Sequence, residues 1–461
     1  MSVIDLLPSP HHCFHSTVSL LRSALSTIRR GQISLSPVDY DIDEETGFLP
    51  PLPLPHLTGD YTFWEIALTE AETEVFLWDD DSEDAMEKRV SSEAWRSKIS
   101  AWPVVEANAL QGNIRCLQRA HVVLAYLTHY FIHSSPPGCS NDPFVVPKAL
   151  AVPFVAVSRS LGIAPVLTFA DTVLWNYELI DATQPTSAIN IHYTNLFSGT
   201  EDESQFYRTA ALVELRGVEL LKVIDEFSAL PDLDELSCVS KLSRNLMRLV
   251  GVVEEMSDMI QTIRDNVDPH VFYHTIRPWF NGSDSEGPSH PGWVYEGVPD
   301  SDKLDLSGPS GGQSSIMHAL DLFFDIDHKL KSRRFSLSAA DYHRADTGFM
   351  ERMRRYMPGK HRDYLHSLAN SPRSLREVAE RTPALREPYN NAVMALKRLR
   401  EIHMRIACLY IVSMSRSSRH PSAACPVAAM MERVGKTRGT GGNELALLLK
   451  ARRDATKRSL L

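Results

Sequence analysis

The stretch LKRLREIHMRIACLYI, residues 396 to 411, lies inside a longer segment with a clear helical repeat. Between Tyr389 and Ser413, apolar and aromatic residues return every three or four positions, which predicts one helix with a single apolar face. That face consists of Tyr389, Ala392, Leu396, Leu399, His403, Ile406 and Tyr410. Because the charged residues lie on the other faces, the imidazole of His403 is predicted to point into the core.

A histidine that points into a protein core needs partners for its ring nitrogens, because burying unsatisfied polar atoms is costly. One interpretation is that His403 donates a hydrogen bond to a carbonyl oxygen, and the helix taken alone favours it. The other interpretation is that His403 is an axial ligand to a haem iron held between helices. Such a ligand needs a neutral imidazole in an apolar and dry pocket.

The composition is that of a globular protein without a membrane-spanning helix. The chain has 461 residues, of which 43% are hydrophobic and 23% charged, and its net charge of −10 disfavours nucleic acid as a partner. No window reaches about eighteen uninterrupted apolar residues. Six scattered cysteines without a CxxC pair indicate neither a disulfide framework nor a zinc module. We therefore expect a cytoplasmic protein, with a mitochondrial transit peptide as the less favoured alternative.

The periodicity of the chain is helical almost throughout, which predicts an all-α fold with helices packed around a buried site. Period-two alternation, which strands would show, is scarce. Two loop belts rich in Gly and Pro interrupt the helices at Ser134 to Val146 and Asn281 to Gly312. Helical patterns cover Ala94 to Ile132, Thr209 to Phe227, Leu233 to Val267, Gln313 to Leu330 and Glu444 to Leu460.

Nine stretches of the chain resemble blocks of the indoleamine 2,3-dioxygenase family and follow in the same order. They cover the chain from about Tyr40 to its end. The stretch of residues 396 to 411 resembles the helix that carries the proximal haem ligand in that family. The others are DIDEETGFLP (41 to 50), LTFADTVL (167 to 174), FYRTAALVEL (206 to 215), NVDPHVFYHTIRPW (266 to 279), VYEG (294 to 297), GPSGGQSS (308 to 315), MRRYMPGKHRDYL (353 to 365) and GTGGNELALLLK (439 to 450).

The resemblance implies both a domain organisation and an activity. A small N-terminal helical domain is expected over residues 39–198 and a larger C-terminal haem-binding helical domain over residues 199–461, after an extension, residues 1–38, that is expected to be disordered. The implied enzyme is a haem b dioxygenase that inserts both atoms of dioxygen across the pyrrole double bond of L-tryptophan, giving N-formylkynurenine. The iron must be ferrous to bind dioxygen, so an electron donor is an implied partner beside the indole and dioxygen.

On the iron side, the resemblance makes His403 the proximal ligand of the haem iron. Asp321 in SSIMHALDLFF matches the family's buried aspartate near that ligand, and Arg400 matches the arginine that pairs with the aspartate. A proximal histidine needs its ring orientation fixed, which is the role of such outer residues. By spacing alone, Arg400 is more readily a solvated helix charge and Asp321 an ordinary residue of an amphipathic helix.

On the substrate side, an indole amino acid needs aromatic and apolar walls and one cation for its carboxylate. The resemblance assigns the carboxylate to Arg277 and the indole to Phe206 and Phe272. A regular helix would turn Phe272 and Arg277 to different faces, but Pro278 predicts that the helix ends there. No general acid or base is required. The other predicted substrate residues are Phe169, Val173, Tyr207, Ser310, Gly311 and, on a lid formed by the GTGG loop, Thr440.

Three positions depart from the family pattern. Ala210 replaces a pocket serine common in mammalian members, and in GPSGGQSS Pro309 replaces a glycine and Gly311 an alanine. Because proline fixes φ and removes a backbone donor, we expect weaker tryptophan binding than in mammalian members, with the chemistry retained. Two alternative functions stay open: a related haem dioxygenase for another indole, and a catalytically weak or non-catalytic haem-binding protein on the same scaffold.

Overall fold

The computed structural model describes residues 37–136, 142–231, 235–285, 292–326, 348–417 and 445–461. Within these ranges the protein is predominantly helical, which confirms the predicted all-α class, and its strands are only three residues long. No helix in these ranges is long and apolar enough to cross a membrane. The predictions for residues 1–36 and for Thr440 concern residues outside the described ranges.

The described helices are numbered in chain order. They are α1 (Thr62–Glu74), α2 (Ala85–Ser100), α3 (Ile114–His133), α4 (Lys148–Leu161), α5 (Glu201–Arg216), α6 (Val218–Ser228), α7 (Leu236–Gln261), α8 (Ile263–Asn266), α9 (Pro269–Val271), α10 (Ser315–Phe323), α11 (Gly359–Ala369), α12 (Leu375–Arg381), α13 (Pro383–Ala407), α14 (Met414–Ser417) and α15 (Leu445–Arg458). Short 3-10 turns lie at Pro37–Tyr40, Gly59–Tyr61, Ala107–Leu110, Arg277–Phe280, Ser301–Lys303, Gly311–Gln313 and Arg354–Tyr356.

Two pairs of short strands connect loops that are distant in sequence. Strand β1 (Phe144–Val146) pairs in parallel with β4 (Trp293–Tyr295). Strand β2 (Tyr177–Leu179) pairs antiparallel with β3 (Ile191–Tyr193). Because β1 and β4 belong to the two predicted loop belts, their pairing holds these belts together.

Helix α13 is the helix predicted from the opening stretch, and it packs along α7 and α15. It begins at Pro383, a position where the missing N–H of proline has no cost because the first turn has no intrahelical acceptor for it. The predicted apolar face is the buried one: Tyr389, Ala392 and Leu396 are fully buried. Arg398, on another face, is well exposed beside Glu254. Burial of this face stabilises α13 in the centre of the C-terminal half.

Three π-turns interrupt the helical segments, at Ala170–Leu174, Phe272–Ile276 and Cys408–Ser413. In a π-turn a backbone N–H bonds to the carbonyl five residues earlier, as the Arg277 N–H does to the carbonyl of Phe272. Residues five apart therefore lie on nearly the same side of the chain. The π-turn, together with the 3-10 turn that follows it, resolves the expected conflict between Phe272 and Arg277.

The predicted segments Leu233 to Val267, Gln313 to Leu330 and Glu444 to Leu460 contain α7, α10 and α15, but other predictions miss helix starts and breaks. Helix α2 begins at Ala85, before the predicted Ala94, and α5 begins at Glu201, before the predicted Thr209. Ala94 to Ile132 is divided between α2 and α3 by an extended stretch and a 3-10 turn. Thr209 to Phe227 is divided between α5 and α6 at Gly217, where a Cβ atom would lie 2.6 Å from the side chain of Ile316. The helix predicted from Gln313 ends at Phe323, and its predicted last residues, 327–330, lie outside the described ranges.

Buried side chains from both sides of residue 198 pack into one continuous core. Just after this position the Thr200 hydroxyl accepts the Glu203 N–H and caps α5. The division into residues 39–198 and 199–461 stays a prediction.

Candidate functional site

A cavity lies among α5, α13, α15, the π-turns and the Gly-rich loop before α10. The cavity has a volume of about 290 Å³. His403 lines it from α13. Eight of the nine predicted substrate residues also line it: Phe169, Val173, Phe206, Tyr207, Phe272, Arg277, Ser310 and Gly311. The ninth, Thr440, lies outside the described ranges. Residues spread over more than 200 positions of sequence thus meet at one cavity, and its described lining residues include the imidazole of His403 and the guanidinium of Arg277.

His403 is only partly buried, although its neighbours on the same face are fully buried, because its imidazole faces the cavity. Desolvation, with smaller contributions from the positive charges of Arg452 and Arg400, lowers the pKa of His403 to about 4. The imidazole is therefore neutral at pH 7. That is the form in which histidine binds a metal.

A buried charge cluster begins one turn before His403. Arg400 donates from Nη2 to Asp321 Oδ1, and Arg452 Nη2 lies 3.5 Å from the other carboxylate oxygen of Asp321. Arg400 also donates from Nη1 to the Thr456 hydroxyl on α15. The structure therefore brings Asp321 and Arg400 together, as the resemblance implied. The structure also places Arg452 in this cluster. Sequence reasoning missed Arg452 because its charged neighbours along the chain make it resemble a surface arginine of α15.

Aromatic rings form part of the cavity wall. The ring centroids of Phe206 and Phe272 lie 4.9 Å apart with the planes tilted by 46°. Phe272 also meets Tyr410 edge to face, with centroids 5.8 Å apart. The hydroxyl of Tyr207 donates to Glu203 at 2.7 Å, away from the cavity. Tyr207 therefore presents only its apolar ring, and the wall suits a planar aromatic ligand.

Arg277 is the cation among the predicted substrate residues. Its guanidinium carbon lies 5.4 Å from the centroid of the Tyr273 ring. Burial lowers the pKa of Arg277, and Tyr273 opposes this effect. An arginine nevertheless stays charged at neutral pH. In these apolar surroundings a bidentate pair with a carboxylate would be strengthened, since little water competes.

The Gly-rich loop is shaped by contacts within the protein. A Cβ atom at Gly308 would lie 1.8 Å from the carbonyl oxygen of Phe280, and one at Gly312 would lie 2.9 Å from an aromatic ring. A Cβ atom at Gly311 would have nothing within 4 Å. Packing therefore requires Gly308 and Gly312, whereas the backbone at Gly311 borders open space in the cavity. Gly311 is therefore the glycine of this loop at which a ligand can closely approach the backbone.

Glu214 is a cavity-lining carboxyl that sequence reasoning missed. Ser314, which caps α10, donates its hydroxyl to Glu214 Oε1. Burial raises the pKa of Glu214 to about 7. The helical spacing of Phe206, Ala210, Val213 and Glu214 places all four on one face of α5. This spacing was the signal that could have identified Glu214.

A second buried histidine near the Gly-rich loop, His318, uses both of its ring nitrogens within the protein. Its Nε2 donates to the carbonyl of Gly312 at 2.9 Å, and its Nδ1 accepts from Arg354 Nε at 3.3 Å. Burial lowers the pKa of His318 to about 3, so the ring is neutral. His403 is therefore the only histidine among the described residues that line the cavity.

The residues around the cavity fit a haem. In the described ranges no three His, Cys, Asp or Glu side chains gather where a bare metal ion could be held. A metalloporphyrin needs only one ligand from the protein, because its own four nitrogens bind the iron in the plane. His403 lines the cavity and could supply such a ligand, and the apolar walls suit the faces of a porphyrin.

Comparison with known proteins agrees with this description. A model of the indoleamine 2,3-dioxygenase family matches residues 36–459. Indoleamine 2,3-dioxygenase 1 of Rattus norvegicus is 30% identical over 425 residues, which cover 92% of this chain and 95% of the relative. The 6-hydroxytryptophan 2,3-dioxygenase of Fusarium equiseti is 27% identical, over 91% of this chain and 97% of the relative. A protein from Haliotis madaka named myoglobin is 28% identical, over 80% of this chain and 88% of the relative.

The family match spans nearly the whole chain, and the cavity combines a neutral histidine with an aromatic wall. The chain therefore belongs to the indoleamine 2,3-dioxygenase family, whose members include haem dioxygenases that act on indoles.

Proposed function

We propose that the protein is a haem b dioxygenase that opens the pyrrole ring of L-tryptophan with dioxygen to give N-formylkynurenine. The observation that carries this proposal is that His403 and Arg277 line one aromatic cavity. In the proposal His403 holds the iron, Asp321 and Arg400 support it from outside, and Arg277 binds the substrate carboxylate. The haem, when bound and ferrous, supplies the site at which dioxygen is activated.

The chain's own residues bind and orient the indole. Phe206 and Phe272 present apolar ring faces, and Arg277 holds the carboxylate, so the amino acid is fixed at two points. Phe169, Val173 and the ring of Tyr207 complete the apolar wall, Ser310 and Gly311 border the substrate from the Gly-rich loop, and Thr440 is proposed to close over it. Ala210 offers no hydroxyl, which agrees with a mechanism without a side-chain acid or base.

A hydroxylated indole is the second candidate substrate. Thr172 lines the cavity, and its hydroxyl donates to the carbonyl of Thr168 at 3.2 Å, which leaves the lone pairs of the hydroxyl oxygen as acceptors for a ligand hydroxyl. One relative is named for 6-hydroxytryptophan. A third candidate, a haem-binding protein without this activity, is favoured only by the relative named myoglobin. The proposal further includes a cytoplasmic location and an electron donor that keeps the iron ferrous.

The direct test is product analysis with purified haem-loaded protein. The protein is reduced, supplied with an indole in air, and the product identified by mass spectrometry and absorbance. Formylkynurenine from tryptophan supports the first candidate. Turnover of 6-hydroxytryptophan alone supports the second, and bound haem without product from either substrate supports the third.

The role of Arg277 can be tested with a substrate that lacks the carboxylate. A charge-assisted bidentate pair contributes roughly 1.5–3 kcal/mol, so Arg277→Ala should lower kcat/KM for tryptophan at least about tenfold. Haem content should be unchanged. With tryptamine as substrate, Arg277→Ala should lose far less activity. Arg216→Ala, which removes an arginine paired with Glu255 at the surface, should leave kcat/KM unchanged for both substrates. An equal loss with tryptamine would contradict the carboxylate role.

A further inference from the structure

Two fully buried histidines lie on one face of α3, outside the cavity. His121 and His129 are eight positions apart, which corresponds to about two helical turns. Neither ring lines the cavity. Each one nevertheless bonds to a chain segment that does, and the proposed function uses neither.

His121 holds two points of the segment that carries Phe169. Its Nδ1 lies 2.6 Å from Asp171 Oδ1 and its Nε2 lies 3.2 Å from the carbonyl oxygen of Ala164. The ring therefore links the side chain of Asp171 to the backbone at Ala164. The rings of Phe154 and Trp175, with centroids 5.0 and 6.0 Å away, exclude water from the pair.

Asp171 connects His121 to the cavity wall through Thr168, which precedes the cavity-lining Phe169. Its Oδ2 accepts from the Thr168 N–H at 2.8 Å and from the Thr168 hydroxyl at 2.7 Å. The two oxygens of Asp171 therefore take part in three hydrogen bonds. The next residue, Phe169, donates its N–H to Gln313 Oε1 at 2.8 Å, and Gln313 in turn donates to the carbonyl of Gly308. The backbone around Phe169 is thus held from α3 on one side and from the Gly-rich loop on the other.

His129 connects the same segment to the turn that begins with Arg277. Its Nδ1 lies 2.7 Å from the carbonyl oxygen of Trp279, to which it donates, and its Nε2 accepts from the Leu167 N–H at 3.3 Å. Only a neutral ring can do both. Desolvation, with a smaller effect from His133, lowers the pKa of His129 to about 3, which agrees with this assignment.

We propose that His121, with its partner Asp171, and His129 are positioning residues that set the distance between the Phe169 wall and the Arg277 guanidinium. This inference rests on the proposed function, because it assumes that an indole amino acid is held between these two points. It adds to that function a set of residues behind the cavity wall that determines how tightly the substrate binds. The hydrogen-bonding roles, not the bulk of the side chains, carry the effect.

The geometry specifies which change at Asp171 is tolerated. In Asp171→Asn, the amide oxygen can accept both bonds from Thr168, while the amide NH₂ donates to Nδ1 of a neutral His121. The imidazole Nε2 still donates to Ala164, so the amide can keep the same set of hydrogen bonds. Asp171→Ala leaves His121 Nδ1 without its buried partner and releases Thr168.

The test compares Asp171→Ala, Asp171→Asn and His129→Leu with the wild type in haem content, kcat, KM and the tryptophan dissociation constant from the haem absorbance. A shift of about 1 Å in a binding group can cost up to roughly a hundredfold. We therefore expect KM and the dissociation constant to rise about tenfold in Asp171→Ala and His129→Leu, with haem content unchanged and kcat changed much less. Asp171→Asn should stay close to the wild type.

Thr128→Val is the matched control, because Thr128 is as deeply buried beside His129 and its hydroxyl has no hydrogen-bond partner among the described residues. It should leave KM unchanged. Unchanged KM in His129→Leu, or losses in Asp171→Asn as large as in Asp171→Ala, would overturn the positioning role. If Asp171→Ala does not fold, the other two variants decide the question. A wild type that turns over no indole would instead refute the proposed function, while the dissociation constants would still test the positioning.

Discussion

A neutral imidazole that faces an apolar cavity loses its hydrogen bonds to water without replacement, and binding a metal is one of the few ways to recover that loss. His403 is in this situation. The ring nitrogens of His318, by contrast, both have protein partners. The difference between these two histidines is the strongest reason at the level of single residues to assign the iron to His403.

We predict that His403→Ala folds but loses most of its haem. The absorbance spectrum and the haem-to-protein ratio measure this loss. Free imidazole should restore part of the binding, because the variant leaves space for a ligand that occupies the same position. His366→Ala, at an exposed position, is the control and should keep its haem. A normal haem ratio and spectrum in His403→Ala would falsify the assignment.

Glu214 makes the stability of the folded protein depend on pH. Its folded-state pKa of about 7 lies above the ordinary value of 4.5, so the folded state favours the protonated carboxyl. The corresponding stability is complete below about pH 4.5 and is lost as the pH rises through about 7. Glu214→Gln removes this loss and can still accept from Ser314. We therefore predict that Glu214→Gln is more stable than the wild type at pH 8, by up to about 3 kcal/mol.

Unfolding in denaturant at pH 5 and pH 8 measures this difference. The two proteins should differ little at the lower pH, and the gap should open as the pH rises. Glu255→Gln, at an exposed position on α7, provides the control. An equal stability difference at both pH values would show that Glu214 is not the group responsible.

At the scale of elements, the π-turns decide what the cavity wall presents. Residues from all three π-turns line the cavity, among them Val173, Phe272 and Tyr410. A π-turn inserts one extra residue into a helical turn and so changes the side that the following residues face. The Gly-rich loop acts on the same wall, because its backbone packs directly against the carbonyl of Phe280.

Two glycines of this loop should respond differently to the same substitution. Gly308→Ala places a Cβ atom 1.8 Å from a backbone oxygen, so the loop or the turn at Phe280 must move. We predict a loss of about 2–3 kcal/mol in unfolding free energy, the upper part of the range for overpacked sites. Gly311→Ala, whose Cβ atom meets nothing within 4 Å, should lose less than about 1 kcal/mol. Similar losses in the two variants would contradict this account of the loop.

At the scale of the whole molecule, the cluster of Asp321, Arg400 and Arg452 joins α10, α13 and α15 around one buried carboxylate. Removing one member of a buried ion pair costs roughly 3–5 kcal/mol, because the charge left behind has no compensation. We predict a loss of this size in Asp321→Ala, together with weaker haem retention, since the helix that carries His403 loses its anchor.

Chemical denaturation of the haem-free and haem-loaded protein checks both parts of this prediction. Glu254→Gln breaks the exposed pair with Arg398 and should cost less than about 1 kcal/mol. If Asp321→Ala were no less stable than Glu254→Gln, the cluster would contribute little to the fold.

Much of the architecture depends on local sequence patterns and could therefore be predicted from the sequence. The period of apolar residues identified α13 and placed His403 on its buried face, because helical amphipathicity depends only on neighbours along the chain. The Gly-rich loop and the scarcity of strands were recognised for the same reason. The breaks at Gly217 and at the π-turns were missed, because each depends on a contact with a distant segment, as Gly217 does on Ile316.

The residues that line the cavity were predicted from the resemblance to a family, not from physical reasoning on single residues. Phe169, Phe206 and Phe272 each resemble ordinary core aromatics in the sequence, and only their packing shows that they face a common space. Their roles toward substrate stay predictions.

Arg452 and the pair His121 and Asp171 had no signal that distinguished them from ordinary polar residues, whereas the helical spacing on α5 could have identified Glu214. Whether a charge is solvated or buried, and which group lies opposite it, depends on how helices far apart in the sequence pack together. How strongly each of these side chains is desolvated, and which group is its hydrogen-bond partner, follow from that packing. Periodicity along the chain carries no information about either.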